Sequence, residues 1–214
     1  MKSQLFSALL ILAGQIGFSQ TNEAALPQET EYNSLTEALE HPELVLRLRL
    51  DRESFPIPDS LWLKFPNLEY LSLKDDHLDD LPTGIGSLKN LKVLDLSGND
   101  FSTLPRAFAQ LLNLEELYVN DDKYFNLDKN IEVLSQLPSL KILHLENDHL
   151  KELPQEISRL LYLEKLYLNN NEFKNVPKEV SGLKNLQFLY LHDNHIKPSK
   201  QDILNPDTGI KISF

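Results

Sequence analysis

Apolar and polar positions alternate along this chain on two scales. Locally, Leu-x-Leu steps such as Leu71/Leu73, Leu94/Leu96 and Leu143/Leu145 mark short strands with one face buried. Over a longer distance the same signature returns. Leu68, Leu91 and Leu114 are 23 residues apart, as are Leu140, Leu163 and Leu186, and each opens the same pattern. Three residues on stand Leu71, Leu94, Leu117, Leu143, Leu166 and Leu189; two further on stand Leu73, Leu96, Val119, Leu145, Leu168 and Leu191. A degenerate first copy at Val45, Leu48 and Leu50 brings the number to seven. Self-similarity at a fixed period predicts stacked units that bury one continuous core.

The ninth position of the copies holds Glu53, Asp76, Asn99, Asp122, Asp148, Asn171 and Asn194. Their side-chain oxygens accept hydrogen bonds from backbone amides where the chain turns off the strand. Aspartate serves only as an acceptor, so the three Asp copies lose a donor and bring buried negative charge. Apolar residues follow at the eleventh position: Phe55, Leu78, Phe101, Tyr124, Leu150, Phe173 and Ile196. Then come Leu81-Pro82, Leu104-Pro105 and Leu153-Pro154, with Val176-Pro177 as the variant. An apolar pair three apart, such as Ile85/Leu88 or Ile157/Leu160, gives one face of a short helical turn. The copy opening at Leu114 is 26 residues long, with Asp128 where the Pro should be. Its Ile131, Leu134 and Leu137 predict a longer helix over residues 128–137, with Tyr124 and Phe125 at its start.

The pattern L-x-x-L-x-L-x-x-N-x-L-x-x-L-P-x-x-I-x-x-L resembles the leucine-rich-repeat family in its 23-residue form, over roughly residues 34–214. The resemblance implies an α/β fold: a right-handed solenoid bent into a horseshoe arc. Its concave side would be a parallel sheet of about seven strands and its convex side short helices or turns. The repeats are assigned to residues 45–197. Terminal repeats expose apolar faces unless something covers them. Ser34-Leu35-Thr36-Glu37 is a capping box that opens a short helix ending before Pro42. Residues 20–44 therefore read as a flexible lead-in, up to residue 32, followed by an N-terminal cap. Residues 198–214 read as a C-terminal cap, with a short helix over 199–204, a turn over 205–209 and a closing strand over 210–214. With both ends covered, the chain is expected to be a complete unit.

Composition adds a location. Lys2 followed by a largely apolar stretch over residues 5–18, and small residues at Gly17 and Ser19, predict a signal peptide over 1–19 cleaved before Gln20. The chain is thus expected to be exported, to the periplasm, the cell surface or the medium, with no membrane span left in the mature form. Cysteine is absent, so stability comes from the core alone and thiol chemistry is excluded. Absence of Cys and of Asn-x-Ser/Thr sequons fits a bacterial exported protein. The net charge of −11, which becomes −12 without residues 1–19, argues against a nucleic-acid partner. No nucleophile elbow, phosphate loop or dinucleotide fingerprint occurs, and the six His lack metal-ligand spacing. No enzyme activity, cofactor or metal is expected.

What remains is a binding surface. Outward-facing strand positions place Arg49, Ser72, Asp95, Tyr118, His144, Tyr167 and Tyr190 in one concave column. A neighbouring column runs Arg47, Tyr70, Val93, Glu116, Ile142, Lys165 and Phe188. Tyr70, Tyr118, His144, Tyr167, Phe188, Tyr190 and His192 are the candidate binding residues, because aromatic rings with polar tips are common anchors of recognition. A protein or peptide partner on the concave face is the leading expectation. The alternatives are a carbohydrate stacked on the Tyr cluster, and a structural role through self-assembly.

Overall fold

The structure, a computed structural model, describes residues 31–53, 58–197 and 209–214. The expected signal peptide, the lead-in up to residue 30, Phe55 and the cap helix over 199–204 with most of its turn lie outside these residues. Among the described residues nine short strands form a single parallel sheet in chain order. They are β1 (Glu31–Tyr32), β2 (Arg47–Arg49), β3 (Tyr70–Ser72), β4 (Val93–Asp95), β5 (Glu116–Tyr118), β6 (Ile142–His144), β7 (Lys165–Tyr167), β8 (Phe188–Tyr190) and β9 (Lys211–Ser213). Equivalent repeat positions lie side by side: Arg47 beside Tyr70, Leu94 beside Leu117, His144 beside Tyr167. The constant spacing between copies fixes this register, since a slip of one residue would turn every leucine out of the core.

Seven strands come from the repeats, and two more extend the sheet. β9 is the closing strand expected over 210–214. β1 is a departure: Glu31 and Tyr32 belong to the expected flexible lead-in, yet they pair with Arg47 and Leu48. Tyr32 packs on the core, and Glu31 is gripped by the guanidinium groups of Arg47 and Arg49 at 3.2 and 2.9 Å.

Leu48, Leu71, Leu94, Leu117, Leu143, Leu166 and Leu189 are fully buried, one from each repeat strand. Each such leucine stabilises the fold by roughly 1.5–3 kcal/mol through removal from water. Opposite the sheet the chain returns through 3₁₀ turns, Thr83–Ser87, Arg106–Gln110, Gln155–Arg159 and Lys178–Gly182. Each is preceded by its proline, whose φ of −57 to −67° is fixed by the ring. The apolar pairs three apart suit this helix type, in which residues i and i+3 eclipse each other.

Helix α1 (Leu35–Ala38) is capped by Ser34, whose hydroxyl accepts from the Glu37 amide at 3.4 Å. Helix α2 (Leu127–Leu134) replaces a 3₁₀ turn in the lengthened repeat and starts at Asn126, which caps the Lys129 amide. It is shorter than the expected 128–137, for Leu137 belongs to the return path just before Pro138, which disfavours helix before it. Tyr124 does not take its core position: it is 54% exposed, and Phe125 enters instead, edge-on to Phe101 at 6.0 Å. Buried Asn130 joins α2 to the preceding repeat, accepting from the Leu104 amide at 2.7 Å and donating to the Ser102 carbonyl at 3.0 Å.

Each of the seven repeat strands, β2 to β8, leaves the sheet through a left-handed eighth residue. Arg52, Asp75, Gly98, Asp121, Asn147, Asn170 and Asp193 all have φ between 53 and 73°. Asn, Asp and Gly adopt this region most readily, and it turns the ninth side chain inward beneath the turn.

Candidate functional site

The fifth-position column is the densest feature of the concave face. Strand spacing in a sheet, about 4.8 Å, is close to the spacing of stacked rings. Aromatic residues on consecutive strands therefore meet face to face. Tyr118 and His144 stack at 3.8 Å, His144 and Tyr167 at 4.2 Å, Tyr167 and Tyr190 at 4.2 Å, with interplanar angles of 12°, 8° and 3°. Four rings thus form one continuous pile across β5 to β8.

The pile changes what these residues offer. Expected as exposed anchors, they are partly buried by one another, and His144 is only 7% exposed. Each ring covers its neighbour's face, so edges and polar tips are what the inner rings present. Both His144 nitrogens point at carboxylates: Nε2 lies 3.0 Å from Glu116 and Nδ1 3.4 Å from Glu146. Carboxylates only accept, so both contacts are filled when each nitrogen carries a hydrogen. Glu116 also accepts from the Tyr118 hydroxyl at 2.7 Å. The His144 bond is the largest influence on Glu116 and, with the Tyr118 bond, holds its carboxyl below the usual range against the effect of burial. Burial first, and then the bond to Glu116, raise the Tyr118 phenol. Burial and a bond to Tyr190 push Tyr167 up to about 12.

A polar rim runs beside the pile. Asn169 donates to Glu146 at 2.5 Å and accepts the His192 amide at 2.9 Å, while the His192 ring pairs with Ser213 at 2.8 Å. Phe188 lies on the other side, with the amines of Lys211 and Lys165 at 5.1 and 6.0 Å from its ring. Of the seven candidates, Tyr118, His144, Tyr167 and Tyr190 form the pile, and Phe188 and His192 flank it. Tyr70 stands apart on β3. Arg47 covers its ring at 4.0 Å, and Arg49 donates to its hydroxyl at 3.2 Å. Those arginines are themselves paired: Glu31 is held low by Arg49, and Arg49 is raised chiefly by Glu31. Glu116 and Glu146, which orient the pile, were not among the candidates. Their place at the third and seventh positions, beside a fifth-position His, was the readable signal.

The repeat geometry agrees with family comparison. A leucine-rich repeat region matches residues 60–137, and a leucine rich repeat matches residues 138–196. The chain belongs to the leucine-rich-repeat family. Among solved structures this leucine-rich-repeat protein is similar to one from Leptospira interrogans, at 25% identity and a TM-score of 0.55, covering 86% of this chain and 58% of that one. It is also similar in fold to the Toll–Spatzle complex of Drosophila, at 20% identity and a TM-score of 0.64, covering 79% of this chain and 23% of the other. The glycosylated form of that complex gives 19% identity and a TM-score of 0.65. The chain thus spans less than two thirds of the length of each of these relatives. No curated protein matches it. Among the described residues no helix is long and apolar enough to cross a membrane, and no group of three or more His, Cys, Asp or Glu is placed to hold a metal ion.

Proposed function

We propose that this leucine-rich-repeat protein is an exported, non-catalytic module that binds a protein or peptide on its concave face, over β5 to β8. The ring pile carries the reading. Its inner faces are closed, so a sugar has no open ring to stack on between Tyr118 and Tyr190. Its outward edges bring phenol hydroxyls, the carboxylates of Glu116 and Glu146 and the amide of Asn169 together on a rigid surface. Such a surface suits the alternating donors and acceptors of a polypeptide, and its rings lose little entropy on binding because packing has already fixed them. The Toll–Spatzle likeness supports protein recognition by analogy of fold only. Export rests on the signal-like residues 1–19, and the net charge of −11 argues against nucleic acid.

A peptide-display library panned on the folded mature chain tests the reading. Enriched peptides should bind the wild type and lose binding to a Tyr118→Ala/Tyr167→Ala/Tyr190→Ala variant. A parallel glycan array is the control: a saccharide-specific signal without peptide enrichment would replace the proposed partner class with carbohydrate.

A further inference from the structure

The ninth residues form a ladder with two kinds of rung. In the Asn rungs the side-chain amide donates to the sixth-position carbonyl of its own repeat and of the one before. Asn99 reaches Leu96 and Leu73 at 2.7 and 2.8 Å, Asn171 reaches Leu168 and Leu145 at 3.1 and 2.7 Å, and Asn194 reaches Leu191 and Leu168 at 3.1 and 2.9 Å. Their Oδ1 atoms accept backbone amides of the preceding repeat, from Leu78, Leu150 and Phe173.

The Asp rungs keep the acceptor but not the donor, and the amide accepted is that of the preceding repeat's own ninth residue. Oδ1 of Asp76, Asp122 and Asp148 accepts the amides of Glu53, Asn99 and Asp122 at 2.7, 2.6 and 2.9 Å. Oδ2 of all three is sealed from solvent and has no hydrogen-bond partner. Oδ2 is the counterpart in these residues of the asparagine amide nitrogen. By repeat equivalence its acceptors would be the carbonyls of Leu96 and Val119 for Asp122, and of Val119 and Leu145 for Asp148. An ionised oxygen there would set lone pairs against lone pairs. A carboxyl O–H would donate as the amide does.

We propose that Asp122 and Asp148 are carried in the folded protein as neutral carboxylic acids whose O–H replaces the asparagine amide, with Asp76 joining them in mildly acid solution, making the ladder a proton-dependent clasp that loosens as pH rises. The surrounding charges favour this state. Asp51 and Glu53 act on Asp76, Asp95 and Asp121 on Asp122, and Asp122, Asp121 and Glu146 on Asp148. The ionisable tenth residues of the same turns are turned elsewhere. His77 pairs with Asp100, Lys123 lies over Tyr124 and His149 pairs with Glu172. Burial, the largest influence, pushes Asp76 up to about 6 and Asp122 and Asp148 up to about 8, outweighing the amide bonds that favour the charged form. An unfolded Asp ionises near 3.9, so the added stability is complete below that pH and is lost as pH rises through 6 and 8. Asp122 and Asp148 follow β5 and β6, so the clasp lies beneath the strands that carry Tyr118 and His144.

Thermal unfolding of the full chain and of an Asp122→Asn/Asp148→Asn variant, between about pH 5.5 and about pH 9.5, tests this, with carboxyl ¹³C NMR of the wild type in parallel. The wild-type midpoint should fall across that range by on the order of 10 °C. The variant should stay nearly level and exceed the wild type at the alkaline end. The carboxyl resonances of Asp122 and Asp148 should titrate well above the ordinary aspartate range. Parallel decline of both proteins, or carboxyls that titrate at ordinary values, overturns the proposal. So does full recovery of the alkaline midpoint by added calcium chloride, which would make Oδ2 a cation ligand. If the variant does not fold, the wild-type NMR titration decides alone.

Discussion

Replacing Asn171 by Ala removes one complete rung and tests whether the ladder, beyond the leucine columns, holds the repeats together. Asn171 is 4% exposed. Its Oδ1 accepts the amides of Asp148 and Leu150 at 3.1 and 2.9 Å, and its Nδ2 donates to the carbonyls of Leu145 and Leu168 at 2.7 and 3.1 Å. The Leu168 carbonyl keeps the amide of Asn194 at 2.9 Å, so truncation strands two amides and one carbonyl. A buried group left unsatisfied costs about 1–3 kcal/mol, and water entering the turn relieves part of it. The expected loss is about 3–5 kcal/mol, a large share of the stability of an ordinary domain. Urea unfolding followed by circular dichroism measures it, with exposed Asn175→Ala as a control expected within about 0.5 kcal/mol of wild type. In a stacked fold the lesion should also uncouple the C-terminal repeats, seen as a smaller m-value. A loss below about 1 kcal/mol would refute the claim that this rung carries the turn.

Three further outcomes follow from packing and charge. Gly84→Ala should destabilise the chain by about 1–3 kcal/mol in the same urea assay, because a Cβ there would run into the Asp59 backbone carbonyl, which cannot swing aside. Trp62→Ala should cost about 3–5 kcal/mol, since the ring is 1% exposed and fills the core of the degenerate first repeat. Phenol ionisation followed by ultraviolet absorbance should show Tyr118 and Tyr167 protonated well above the ordinary tyrosine range in the folded chain, and ordinary titration in urea. Because folding raises these phenols, their contribution is complete below about pH 10 and is lost above it; equal titration curves in the two states would count against the buried pile.

The leucine columns were legible because burial acts on every copy in the same way. Once the spacing of Leu68, Leu91 and Leu114 was read, the register of the strands followed, and with it the concave columns. Elements outside the period were not legible. Two residues, Glu31 and Tyr32, carry no strand signature, and what places them is a pair of arginines in the next strand. In the lengthened repeat the core slot could be filled by either of two adjacent aromatics. The start of α2 at Asn126 settled it for Phe125 over Tyr124. The candidate site was half legible. Repeat arithmetic placed Tyr118, His144, Tyr167 and Tyr190 on one column, but whether rings splay toward solvent or stack depends on side-chain torsions that no spacing encodes. A second ladder follows the same period just before the strands. Asn67, Asn90, Asn113 and Asn185 each precede a repeat, and each donates to a carbonyl 24 residues earlier, at 2.6–2.8 Å.

Amide chemical-shift mapping of a display-selected peptide on the isotope-labelled chain tests the proposed concave binding site most directly. Perturbations should concentrate on β5 to β8, led by residues around Tyr118, His144, Tyr167 and Tyr190, and vanish in the triple Tyr variant. Perturbations confined to the 3₁₀ turns of the opposite face, with the concave strands silent, would show that the ring pile is structural and that recognition lies elsewhere.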